Sequence, residues 1–338
     1  MKYLLLIICA ITIISCGSNH INGQHDSSIV TDAIATTFAN TITVDELKES
    51  LYHIASEEFE GRETGELGQK KAAEYLKTFY IESDIASPYG GSDYFQSIPT
   101  EHLKYGINPS ENVVAFIEGS EKPHEIIVIS AHYDHLGMNN GTIYFGADDD
   151  GSGTVAILEI AEAFKEAVSK GFGPKRSILF LHVTGEEKGL LGSKYYTNFP
   201  IFPLENTVVN LNIDMIGRVD AAHTNNPNFV YLIGSDKLSS ELHNLSEQIN
   251  ERFTQLDLDY TYNNEDDPNR FYYRSDHYNF AKNNIPIIFY FNGTHADYHK
   301  TSDTPDKINY EILAKRTQLI FYTAWELANR EQRIEVDK

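Results

Sequence analysis

The sequence predicts an α/β protein, a three-layer α/β/α sandwich built on a mostly parallel or mixed central sheet. Two observations carry that prediction. The runs ENVVAFIEG, EIIVISAH, RSILFLHVTG, NTVVNLNIDMIG, NFVYLIG and IPIIFYF are short and rich in β-branched and aromatic residues, and several are almost continuously apolar. Continuous rather than alternating apolar runs mark strands covered on both faces. Stretches with helical apolar spacing at 152–168, 237–253 and 307–330 supply the covers.

Taken from the N-terminus, MKYLLLIICAITIISC has a positive residue, an apolar run and a small residue before a cysteine, which is the layout of a secretory signal. Ile13-Ile14-Ser15-Cys16 resembles a bacterial lipoprotein cleavage box, with Ile13 where Leu is usual. Residues 1–16 are therefore expected to be a signal peptide ending at lipidated Cys16, with a simple cleaved signal or an N-terminal anchor as the alternative. The expected location is the bacterial cell envelope, outside the cytoplasm, with membrane attachment only through the lipid. Cys9 would leave with the signal, so no disulfide and no zinc–thiolate site is expected in the body. Residues 17–40 are polar without sustained periodicity and read as a tether. Residues 41–338 then form a single domain, and no room for a large insert exists between Asn108 and Ile126. Within it, TVDELKESLYHIAS and GELGQKKAAEYLKTFY have helical spacing and precede the strands.

The chain has 338 residues, 41% of them hydrophobic, enough for a sizeable core. Its formal charge of −22 argues against nucleic acid or an anionic membrane surface as a partner. Oligomeric state is not legible. The acidic excess leaves carboxylates to spend on cations.

In folds of this class, chemistry collects where strands end and loops begin. EIIVIS runs into His132, Asp134 and His135; SILFLHV runs into Glu186 and Glu187. TVVNLNI ends at Asp214, and IPIIFYF leads to His295, Tyr298, His299 and Asp303. Between the first two lies GADDDGSG at 146–153, three consecutive carboxylates directly before an apolar helix. Burying them costs several kcal/mol each unless something positive pairs with them. Each piece alone has a structural explanation, such as helix capping or a hydrogen-bonded histidine. Together, imidazole and carboxylate without thiolate form the ligand set of an open catalytic centre for zinc, cobalt or manganese.

AHYDHLG, GADDDGSG, TGEEKGLLGS, NIDMIGR, RSDHYNF and YHKTSDTPD, in this order, resemble the co-catalytic dizinc aminopeptidases, whose fold also underlies glutamate carboxypeptidase II and glutaminyl cyclase. The segment ASEEFEGRETGELGQKKAAEYL is similar to the entry helices of that family, so the resemblance covers roughly residues 45 to 330. It implies a zinc-peptidase fold and two zinc ions, one held by His132 and Asp214, the other by Glu187 and His299. Asp149 would bridge them, with a cis peptide bond to the next residue. Asp134 matches the carboxylate that orients His132, and Asp303 is placed with it as a supporting acid. Glu186 matches the general base and Tyr298 the donor to the developing oxyanion, while Arg274 and His277 fall in a motif on the substrate side.

The implied reaction is hydrolysis of the N-terminal peptide bond of peptides by water activated on the two ions. Alternatives on the same fold are glutaminyl cyclase-like aminoacyl transfer, carboxypeptidase or dipeptidase specificity, and a binding module without chemistry. Because no ligand is replaced here, the hydrolytic reading is preferred. Side-chain preference is not legible. The aromatic-rich segment 257–280 reads more readily as packing than as a specificity pocket, and Glu265, Asp266 and Asp267 as a solvated loop rather than a calcium site.

Overall fold

The computed structural model describes residues 23–338, with side chains from residue 31 onward. The expected signal peptide with Cys16 and the beginning of the expected tether lie outside the described residues. The helices, in chain order, are α1 (Gly23–Ala39), α2 (Val44–Ile54), α3 (Leu67–Glu82), α4 (Gly153–Ser169), α5 (Leu191–Asn198), α6 (Ser240–Ile249), α7 (His277–Ala281) and α8 (Tyr310–Asn329). The strands are β1 (Phe95–Ile98), β2 (Ser110–Ile117), β3 (Lys122–His132), β4 (Met138–Asn139), β5 (Thr142–Ile143), β6 (Arg176–Val183), β7 (Thr207–Ile213), β8 (Phe229–Ile233), β9 (Asp257–Asp259) and β10 (Ile287–Phe291).

Eight strands form one mixed sheet in the order β1-β2-β6-β3-β7-β10-β8-β9, and β4 and β5 make a separate small hairpin. The centre of the sheet is parallel: β6 pairs with β3, β3 with β7, and β7 with β10. The outer pairs β1–β2, β2–β6 and β10–β8 are antiparallel, and β9 adds in parallel to β8. Every residue of β6, β7, β8 and β10 is buried, as expected of strands covered on both faces. One face packs α4 and α8 through Val155, Ile157, Ile160, Phe164, Leu313, Ile320 and Phe321, with α1, α2 and α3 joining the same cluster. The other face is smaller and closes on Tyr196 of α5 and Phe280 of α7. Each such apolar side chain contributes about 1.5–3 kcal/mol by leaving water.

Most of the expected tether departs from the sequence reading. Residues 23–39 are helical, and Ala35, Phe38 and Ala39 are buried. Phe38 stacks on Trp325 with ring centroids 5.8 Å apart. A narrow stripe of apolar residues inside a polar segment suffices because α4 and α8 present a ready surface to it. Among the described residues, no helix is long and apolar enough to cross a membrane.

The parallel centre also determines where the strand ends lie. β3, β6, β7 and β10 point the same way, so their C-terminal ends share one edge, with His132 level with Val183 and Tyr290 with Ile213.

Candidate metal centre

The loops leaving that edge bring the five expected ligands together. His132 ends β3, and its Nε2 lies 3.2 Å from Asp149 Oδ1 and 3.7 Å from Asp214 Oδ1. His299 Nε2 lies 3.0 Å from Asp149 Oδ2 and 3.3 Å from Glu187 Oε2. Asp149 therefore faces two groups of donors, one through each carboxylate oxygen. Among the described residues, two clusters have metal-site spacing: His132, Asp149 and Asp214, and His135, Asp149 and Glu187.

The fate of the three consecutive acids follows from their hydrogen bonds. Asp148 accepts from the Gly217 amide at 2.7 Å and from Asn292 and His295, each at 3.1 Å. Asp150 accepts from the amides of Gly153 at the head of α4 (2.9 Å), Met215 (3.0 Å) and His132 (3.2 Å). The outer two acids thus tie the head of α4 to the end of β3 and to the loops after β7 and β10, leaving Asp149 for the centre. The Asp149–Asp150 peptide bond is cis. Asp303 supports this loop, its carboxylate accepting from the amides of Asp148 and Asp149 at 3.0 and 3.2 Å.

Burial alone would raise the Asp149 carboxyl, but His132 and His299 beside it hold it well below the usual carboxylate range. Burial opposes the charged form of His299, yet the Asp149 and Glu187 carboxylates outweigh it and lift the imidazole to about 10. Such mutual dependence of anions and imidazoles is what a cation would replace. Four polar atoms here, His135 Nδ1 and Nε2, Asp149 Oδ2 and Glu187 Oε1, are buried without a hydrogen-bond partner. Orphaned acceptors of this kind are costly unless they bind something. The donor set of imidazole and carboxylate fits zinc.

Glu186 does not share these contacts. It is pushed well above the usual carboxylate range by burial, with Asp214, Asp276 and Glu187 adding to the effect. It lines a pocket with Asp149, Asp214, Met215, Phe271, Arg274, Phe289, Phe291, Tyr298 and His299. Tyr298 stacks on His299 at 3.9 Å, and its hydroxyl accepts from Arg274 Nη2 at 3.3 Å.

Two expectations are corrected. The nearer partner of His132 Nδ1 is the backbone carbonyl of Asp134 at 3.0 Å, whereas the Asp134 carboxylate stands 3.7 Å away. That carboxylate instead accepts from Thr64 (2.7 Å) and the Glu186 amide (3.2 Å), positioning the loop that carries Glu186. His277 does not face the pocket: it is fully buried, stacked on Phe289 at 4.6 Å, with Nε2 against the Tyr272 carbonyl at 2.8 Å. Burial drives its pKa down to about 3, so it is a neutral packing residue at the start of α7. In the aromatic segment Phe271 reaches the pocket, while Asp267 turns inward to accept from the Phe271 amide at 3.0 Å.

Arg62, which sequence patterning does not single out, is fully buried under the centre. It donates to the carbonyls of Tyr133, Phe145 and Gly146 at 2.8 Å and of Ile54 at 2.9 Å. The available signal is a lone arginine in the Gly- and Glu-rich EGRETGE, ahead of so many buried acids. His135 is visible in the sequence as a strand-end histidine, without an assigned place.

The sequence profile of peptidase family M28 matches residues 112–324. The LapA aminopeptidase of Legionella pneumophila aligns with a TM-score of 0.69 at 24% identity, over 89% of this chain and 76% of that one. BSAP, a zinc aminopeptidase from Bacillus subtilis, aligns at 0.65 and 17%, over 87% and 98%. At these identities the likeness shows the fold. A probable aminopeptidase from Saccharomyces cerevisiae is 26% identical over 240 residues, 69% of this chain. The chain spans less than two thirds of the curated relatives it matches, 61% in the yeast case.

Proposed function

The chain belongs to peptidase family M28, and from that premise we propose that it is a zinc-dependent aminopeptidase releasing the N-terminal residue of peptides at a two-ion centre. The observation that carries this reading is the placement of Asp149 between His132 and Asp214 on one side and Glu187 and His299 on the other. The aminopeptidase names of the relatives support the same choice. His132, Asp149 and Asp214 would hold one ion, and Glu187, His299 and the second oxygen of Asp149 the other. Zinc bound there supplies a Lewis acid for the scissile carbonyl and lowers the pKa of water toward neutrality.

The chain's own residues divide the remaining work. Glu186, in the pocket but free of the ligand contacts, takes the proton from the attacking water and returns it to the leaving amine. Burial and the acids around it disfavour its charged form, which favours taking up that proton. The Tyr298 hydroxyl donates to the oxyanion, and Arg274, hydrogen-bonded to that hydroxyl, holds it in place on the substrate side. The acidic shell near Glu187 and Asp214 attracts the positive α-amine of an unblocked peptide.

The test is a panel of aminoacyl and N-blocked fluorogenic substrates assayed with zinc and with a chelator. The reading expects activity on free aminoacyl substrates that chelation abolishes and zinc restores. Activity indifferent to chelation would overturn it, and conversion of N-terminal Gln to a cyclic product would favour the cyclase alternative.

A further inference from the structure

The two halves of the centre are unequal. On the Asp214 side, one imidazole, His132, accompanies two carboxylates. On the Glu187 side a second imidazole approaches: His135 Nδ1 lies 2.9 Å from Glu187 Oε1 and 3.9 Å from Asp149 Oδ2. His299 Nε2 completes the figure, 3.0 Å from Asp149 Oδ2 and 3.3 Å from Glu187 Oε2.

Donors about 2.0–2.1 Å from a tetrahedral zinc stand roughly 3.3 Å from one another. The separations on this side run from 2.9 to 3.9 Å, the scale of such donor–donor distances, and His135, Asp149 and Glu187 each offer an atom within 4.8 Å of the others. His135 Nδ1 and Glu187 Oε1 are near enough for a hydrogen bond, yet both are without a partner, as is Asp149 Oδ2. The ring cannot turn away easily, because it is wholly buried and lies against Gly146, where a Cβ would come within 2.5 Å of it. The His135 amide, bonded to the Arg62 carbonyl at 3.1 Å, fixes the backbone.

Resting on the two-ion reading above, we propose that His135 is a further ligand of the ion on the Glu187 side, giving it four protein donors against three for its neighbour. The Glu187-side ion is then the tighter one and loads first, and the His132 side keeps the more open coordination position for the chemistry.

The experiment titrates zinc into the metal-free full chain against a chromophoric chelator, then repeats the loading with cobalt and records its visible absorption. Wild type is compared with His135→Asn and His135→Ala. Asparagine sets its amide nitrogen near the position of Nδ1, so it can still hydrogen-bond Glu187 but ligates zinc poorly, and it leaves little hole beside Gly146. The proposal expects wild type to bind two ions of unequal affinity. Both variants should then weaken the tighter ion by more than about 100-fold, beyond the roughly 10–100-fold loss typical of an outer-sphere partner. The absorption of the first cobalt bound should change as well. A His135→Asn chain that binds both ions as wild type does, with an unchanged cobalt spectrum, would overturn the assignment and leave His135 as a hydrogen-bond partner of Glu187. A wild-type chain that takes up fewer than two ions would overturn the two-ion reading along with it. Melting of the metal-free variants at the wild-type temperature guards against a folding defect, and the more conservative His135→Asn decides if His135→Ala melts lower.

Discussion

Glu186 and Glu187 are adjacent in sequence and face different chemistry. Glu187 lies within 3.3 Å of the His299 imidazole and is held below the usual range, its imidazole neighbours outweighing burial and the Asp149 charge. Glu186 is lifted well above it by burial and by the acids around it. The division of labour proposed for them predicts opposite phenotypes. Glu186→Gln should cut turnover by about 10²–10⁴ with metal content intact, as expected for loss of a general base. Glu187→Gln should lose or weaken one ion. Metal analysis and turnover on both variants side by side check this, and a Glu186→Gln enzyme with near-normal turnover would contradict it. Arg62 carries a second prediction at this scale. Its guanidinium satisfies carbonyls of three separate segments beneath the acids, and burial lowers its pKa to about 10 without discharging it at neutral pH. Arg62→Met leaves those carbonyls unpaired and removes a buried cation that interacts with Asp134, Asp149 and Asp150, which should cost about 3–5 kcal/mol in unfolding by denaturant. A loss below about 1 kcal/mol would show that the loops do not depend on it.

Among the elements, α4 illustrates a cost the fold accepts. Glu159 on this helix is only 3% exposed and shares its surroundings with Glu46 and Glu162. Burial lifts its pKa from 4.5 to about 8, the two neighbouring acids adding to the effect. Between those values the folded chain keeps a proton that the unfolded chain has lost. Stability therefore falls as pH rises through this window, by at most about 1.4 kcal/mol per pH unit. Glu159→Gln removes the titration, so its unfolding free energy should decline less than that of wild type between pH 5 and pH 8. Parallel profiles would contradict the assignment. The elements legible in the sequence are those whose pattern is set by burial on both faces, namely β2, β3, β6, β7, β8 and β10, and the long helices α2, α3, α4, α6 and α8. Apart from α1, whose apolar stripe is too narrow to stand out in a polar segment, those missed are short or sit at edges. β1 reads FQSI and β9 reads DLD, too polar to announce a strand, and both are made by pairing with a neighbour rather than by their own propensity. The eight residues of α5 and the five of α7 are too few to show a period. The same limit explains the site. Motif residues at strand ends are readable because the sheet places them. Whether Asp134 meets His132 by its side chain or its carbonyl, or whether His277 points in or out, depends on rotamers and loop geometry that spacing does not encode.

On the scale of the whole molecule, the sheet puts four parallel strand ends on one edge, and the net charge of −22 gathers part of its acidity there. The placement of these residues follows from the fold, while the N-terminal segment bears on where the chain is located. The lipoprotein reading of residues 1–16 predicts that Cys16→Ala releases the protein from the membrane fraction or stalls its processing. Unchanged fractionation would contradict it. The claim that the centre serves an aminopeptidase is tested most directly by mass spectrometry of a peptide, free or N-acetylated, incubated with the zinc-loaded chain. Stepwise loss of residues from the N-terminus of the free peptide alone is the predicted result. Equal cleavage of the acetylated peptide, or release of residues from the C-terminal end, would contradict it.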